Sequence, residues 1–133
     1  MNREEWNELI ESRVIFLDGA TGSNLYRKGM PAGVCPEKWI LENPEKLIEL
    51  QMEFIEAGTD ILYAPTFTGN RIKLKEYGLE QDIERINKTL VGLSKEAVKR
   101  AKEQYPEQTV YVAGDLTMTG EQVYPIGKMS VEE

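Results

Sequence analysis

The chain reads as an α/β protein built on parallel strands, and three observations predict this. Short β-branched or aromatic runs at residues 14–17, 61–64 and 110–113 alternate with stretches of helical period. Each run ends in a polar, glycine-bearing loop: Asp18 to Gly22, Thr66 to Asn70, and Asp115 to Gly120. Strands that alternate with long helices pair in parallel through right-handed crossovers, and in such folds chemistry gathers at the carboxyl ends of the strands.

The elements follow in order. Residues 3–12 form a short amphipathic helix with Trp6, Leu9 and Ile10 on one side. Val14 to Leu17 is the first strand, and Asn24 to Lys28 make one helical turn before Gly29 ends it. Met30 to Pro36 is a loop with two prolines and a glycine. Asn43-Pro44 opens the next helix, with an amide side chain at the N-cap and proline in the first turn. Leu47, Ile48, Gln51, Phe54 and Ile55 carry its period, and Gly58 is placed to stop it. Ile61 to Ala64 is the second strand, broken by Pro65, and Asn70 caps a short helix stopping near Tyr77-Gly78. The longest helix spans about Asp82 to Glu103: Ile83, Ile86, Leu90, Leu93 and Ala97 form its apolar stripe, and basic residues gather at its end. Val110 to Ala113 is the third strand.

Composition narrows the function. A net charge of -7 argues against tracking nucleic-acid phosphates and against binding anionic membranes. No apolar stretch approaches the roughly 20 residues that span a bilayer, and the acidic N-terminus lacks a signal core. With one cysteine and no histidine the chain has neither an internal disulfide nor a self-contained zinc site, and cytoplasmic residence is the default.

A βα barrel needs about 250 residues and eight strands. Three strands with open edges would leave backbone groups unpaired, so the chain is expected to self-associate through those edges. Ser130 and Glu133 stand at capping-box spacing, which announces a further helix. The expectation is a truncated barrel domain covering residues 1–133.

The run Leu17-Asp18-Gly19-Ala20-Thr21-Gly22-Ser23-Asn24-Leu25 resembles the first-strand signature of the homocysteine S-methyltransferase family, which includes the N-terminal module of cobalamin-dependent methionine synthase. Three further segments agree in order: Cys35-Pro36-Glu37-Lys38-Trp39 with Asn43-Pro44-Glu45; Glu56 to Leu62 with Thr66-Phe67, Asn70-Arg71 and Tyr77-Gly78-Leu79; and Val112-Ala113-Gly114 with Thr119-Gly120 and Pro125-Ile126-Gly127. The resemblance implies a (β/α)8 barrel, of which this chain is the first three βα units. It implies methyl transfer to a small thiol amino acid, with zinc on three cysteines of later strands generating the thiolate. Cobalamin or methyltetrahydrofolate is the implied methyl source, and a corrinoid domain or protein the implied partner.

Residue by residue, the resemblance places Asp18 on the amino group of homocysteine; from the residues alone, Asp18 equally caps its own glycine turn. Gly19 and Ala20 would let backbone approach the ligand, and Gly22 serves the turn. Thr66 and Phe67 lie on the second-strand rim, where Phe67 is equally plausible as packing. Asp115 reads either as a site residue or as a solvated acid, Asn70 as a helix cap, and Cys35 as structural or incidental. The sequence departs from the family on this rim. Ala64-Pro65 replaces Thr-Asn, Asp115 replaces a small residue, and Thr117-Met118 stands where Gly-Pro is common. These departures leave room for another acceptor or donor. In its full-length form the protein reads as a methyltransferase, with this chain alone inactive. The alternative is a non-catalytic half-barrel that acts by associating with a partner chain.

Overall fold

The computed structural model describes residues 2–117 and 119–132. Among them the order is α1 (Arg3–Ser12), α2 (Thr21–Arg27), α3 (Pro36–Glu42), α4 (Pro44–Glu56), β1 (Ile61–Ala64), α5 (Arg71–Lys75), α6 (Ile83–Gln104) and β2 (Tyr111–Gly114). The architecture is mixed α/β. β1 and β2 pair in parallel, from Ile61 opposite Tyr111 to Ala64 opposite Gly114. α6 packs on both strands and on α4.

Side-chain alternation along β1 decides which face is covered. Leu62 points to the helices and joins Ile48, Ile55, Ala97 and Ala101, with Val110 from the entry to β2 packed alongside. A second core gathers Leu25, Ile40, Leu47, Leu50, Leu74, Ile86 and Leu90 beneath α2 and α3. Phe54 on α4 touches both. The stripe read in the sequence is the one buried: Leu47, Ile48, Gln51 and Ile55 on α4, and Ile86, Leu90 and Ala97 on α6. Gly58 stops α4 at φ 100°, donating to the Ile55 carbonyl at 2.9 Å while Thr59 donates to that of Phe54 at 3.1 Å. Arg100 ties the two long helices, donating from both terminal nitrogens to Glu45 at 2.6 and 3.0 Å.

The expected first strand is reduced to one parallel bridge, Leu17 with Ile61. Ile61 donates to the Phe16 carbonyl at 3.2 Å, and Asp18 donates to the Ile61 carbonyl at 3.0 Å. Beyond this bridge, side chains take the places of the ladder. The Phe16 N–H goes to Asp60 Oδ2 at 2.9 Å, and the Tyr63 N–H goes to Asp18 Oδ2 at 3.0 Å. Two carboxylates therefore bound the pairing, one at each end. Asp60 is held in turn by Arg13, whose terminal nitrogens donate to its two oxygens at 2.8 and 2.6 Å.

Further expectations are corrected. The loop expected from Met30 to Pro36 is present through Cys35, and Pro36 then opens α3 at its first helical position, a helix the sequence reading did not name. The turn expected at Asn24 begins earlier, at Thr21. Asn43 does not cap α4 with its side chain; Nδ2 instead donates at 2.9 Å to the Trp39 carbonyl, which also accepts the Asn43 backbone N–H at 2.9 Å, so the residue doubles the closure of α3. The third strand starts one residue later than expected, at Tyr111. β1 ends at Ala64 as the following proline requires. Of the terminal capping pair, Glu133 lies outside the described residues, and Ser130 opens no helix among them. Met118 also lies outside them.

Candidate functional site

A cavity of about 500 Å³ opens at the carboxyl end of the sheet. Asp18, Gly19 and Ala20 line it where the chain leaves the bridge. Tyr63, Ala64 and Pro65 line it from β1, Glu37 and Ile40 from α3, Phe67 and Thr68 from the β1–α5 loop, and Asp115 from the end of β2. A larger cavity, about 800 Å³, lies away from the strand ends between α5 and residues 121–129, and mixes Arg71, Lys75 and Lys128 with Glu76, Glu80 and Glu121. The strand-end cavity is the candidate site because its lining carries acids and no lysine, arginine or histidine.

Asp18 is its chemical centre. The carboxylate is half-buried at the point where the chain peels away from β1, and accepts the Tyr63 N–H. Burial, and to a lesser degree the charge of Asp115, push its carboxyl up to about 6, against the opposing pull of the Tyr63 N–H. Gly19 follows in a tight place: a Cβ there would come 3.0 Å from Cε1 of Phe54, so that ring would have to give by a few tenths of an ångström. Ala20 opens α2 and accepts from Asn24 Nδ2 at 2.7 Å.

Thr66 lies beside the cavity rather than in its lining. Its hydroxyl accepts the Asp115 N–H and donates to the Asp115 carbonyl, both at 2.9 Å, and so clasps the ends of the two strands together. It lines a neighbouring cavity of about 210 Å³ with Phe67 and Asn87. Phe67 stands half-exposed on the rim of both cavities. Asn70 caps α5, accepting the Lys73 N–H at 2.9 Å. Cys35 is buried outside the site, its thiol donating to Glu37 Oε2 at 3.4 Å.

Two residues that hold the frame of the cavity were not assigned that role from the sequence. Glu37 is 2% exposed, and one oxygen receives both the backbone N–H and the hydroxyl of Thr68, so it fastens the β1–α5 loop to α3. An acid just after a proline reads ordinarily as a solvated first turn. Gln51 is fully buried on α4 and donates from Nε2 to the Tyr63 carbonyl at 3.0 Å. A glutamine inside an otherwise apolar stripe was the signal that could have found it.

A cavity at parallel-strand ends, centred on a partly desolvated carboxylate, defines an α/β site suited to a small cationic ligand. The chain matches the homocysteine S-methyltransferase family over residues 15–133, and it belongs to that family. It is similar to the homocysteine S-methyltransferase of Escherichia coli (strain K12), 28% identical over 109 residues, which are 80% of this chain and 34% of the relative. Two solved structures of the Escherichia coli homocysteine methyltransferase MmuM resemble it in fold. The metallated form gives a TM-score of 0.59 at 27% identity, over 80% of this chain and 39% of that one. The oxidized form gives 0.61 at 26% identity, over 81% and 39%. The chain thus spans about a third of the length of the curated relative it matches.

Proposed function

We propose that this chain forms the amino-acid-binding part of a homocysteine-type thiol methyltransferase, arranged as the first βα units of a (β/α)8 barrel. The observation that carries the reading is Asp18, a half-buried carboxylate in a cavity without cations, inside the segment that matches the family. An ammonium group entering this cavity would replace lost solvation with an ion pair, worth more here than in water. The backbone at Gly19 and Ala20 would approach the remainder of the amino acid.

The three-cysteine zinc site implied by the family does not fit the residues present. The sequence holds one cysteine and no histidine. Among the described residues no group of three or more His, Cys, Asp or Glu could hold a metal ion. We therefore assign no reaction step to a metal on this chain, and expect the purified 133-residue chain to bind substrate without methylating it.

Isothermal titration with L-homocysteine tests the binding. We expect saturable binding that weakens as the pH falls below about 6, approaching tenfold per unit, because the ion pair needs Asp18 ionised. Binding that is flat from pH 5 to 7.5, or unchanged in Asp18→Asn, would remove Asp18 from the site. A parallel assay with a sulfonium, betaine or methylcobalamin donor should yield no methionine; turnover would refute the assignment of binding without transfer.

A further inference from the structure

Asp115 is a second acid on the same cavity, at the end of β2, while Asp18 stands on the opposite flank of β1. The two carboxylates therefore bracket the end of the central strand. Their surroundings differ from those of the third acid. Glu37 has its oxygens engaged by Thr68 and the Cys35 thiol. The Asp115 carboxylate makes no hydrogen bond or ion pair among the described residues. Its backbone, by contrast, is fixed on both sides by the Thr66 hydroxyl. An acid has thus been placed with care and left without a partner, and the cavity lining contains no lysine or arginine to neutralise it.

We propose that Asp115 is a specificity-determining residue: with Asp18 it forms a two-carboxylate seat for the α-ammonium group of the acceptor, so that the cavity selects amino thiols over thiols that lack the amine. The proposal rests on the binding reading above. Two like charges facing one cavity raise the cost of leaving it empty of cations and sharpen discrimination against ligands that carry no ammonium group. Thr66 is then a positioning residue, since it holds Asp115 through main-chain bonds alone. The raised proton affinity of Asp18 toward about 6, in part through Asp115, accords with the two groups sharing one space.

The test compares two probes on the whole chain, L-homocysteine and 4-mercaptobutyrate, which is the same thiol acid without the amine. We expect Asp115→Asn to weaken L-homocysteine about tenfold and to leave 4-mercaptobutyrate unchanged or slightly tighter. Asp115→Asn keeps the backbone clasp, and Thr66→Val, which removes it, should shift the preference in the same direction while sparing both carboxylates. Carbon-13 NMR of the aspartate carboxyls gives an independent readout: in Asp115→Asn, Asp18 should titrate at lower pH. If Asp18→Asn weakens L-homocysteine and Asp115→Asn does not, the seat is wrong and the binding reading survives. If the unaltered chain binds neither probe at millimolar concentration, both fall.

Discussion

Asp18 serves two ends that oppose each other. As a hydrogen-bond acceptor for Tyr63 it completes the sheet, yet as a charge in a desolvated cavity it strains the empty chain. Its carboxyl binds a proton more tightly in the folded chain, near 6, than in the unfolded one, near 3.8. Between those values the folded state holds more protons, so stability falls as pH rises through the window and levels off above it. The group is only half-buried, and solvent screening reduces the effect to about 1 kcal/mol. Asp18→Asn retains an acceptor for Tyr63 and removes the charge. Urea denaturation at pH 7 should find it as stable as the parent or about 1 kcal/mol more so, with a flatter profile between pH 4 and 6. Loss of stability at pH 7 would show that the carboxylate is a fold residue first. Asp60 behaves in the opposite sense. Arg13 holds its carboxyl below the usual range, so its contribution is present at neutral pH and disappears as acid protonates it.

At the scale of elements, α4 and β1 are joined by one polar contact inside an apolar layer. Gln51 donates to the Tyr63 carbonyl, while its own Oε1 has no partner among the described residues. Gln51→Leu should cost about 1–2 kcal/mol, since the loss of the bond and a stranded carbonyl is partly offset by removing the unpaired oxygen. Gln51→Glu should cost more, about 3 kcal/mol or above, because it buries an unpaired charge in the same space. The reverse order in thermal or urea unfolding would mean that the contact does not secure the strand end. The helices were legible for the reason this layer is apolar: a period near 3.6 at Ile86, Leu90 and Ala97, or at Leu47, Ile48 and Ile55, is what one buried helix face requires and what strands and loops seldom produce. Residues 14–17 show where pattern fails. Their composition is that of a strand, but strand pairing is decided by neighbours, and here Asp60 and Asp18 intercept the bonds. The site was legible at Asp18 through its glycine loop. Glu37 was hidden because nothing local distinguishes an acid facing a buried N–H from one facing water; Gln51 was legible as a member of the α4 stripe, but its partner, a carbonyl 12 residues on, was not.

For the whole molecule, α4 and α6 cover the Leu62 face of the sheet, and the edge at residues 14–17 stays exposed. Val14, Phe16 and Leu17 are 73, 60 and 51% exposed, an apolar strip on the outer flank of the bridge. No helix among the described residues is long and apolar enough to cross a membrane. We expect sedimentation velocity to show concentration-dependent species above 15.2 kDa. The double variant Phe16→Ser, Leu17→Ser should suppress them while shifting the melting temperature little, since half-exposed side chains contribute modestly to the core. An unaltered oligomer distribution would place the contact elsewhere, and a collapse of stability would show that these residues are more than surface.

The substitution of side chains for ladder bonds at Tyr63 has a consequence for how freely this protein can diversify. In an unbroken parallel pair the Tyr63 carbonyl would draw on the main chain two residues beyond Asp18, that of Ala20. Gln51 supplies that bond from a helix instead, and the Asp18 side chain supplies the one before it. The sheet consequently makes no demand on the backbone of Gly19 and Ala20. That segment carries no ladder bond at the very place where a guest molecule would be met. A lineage can recut the loop to admit a different acceptor while the frame beneath it keeps its bonds.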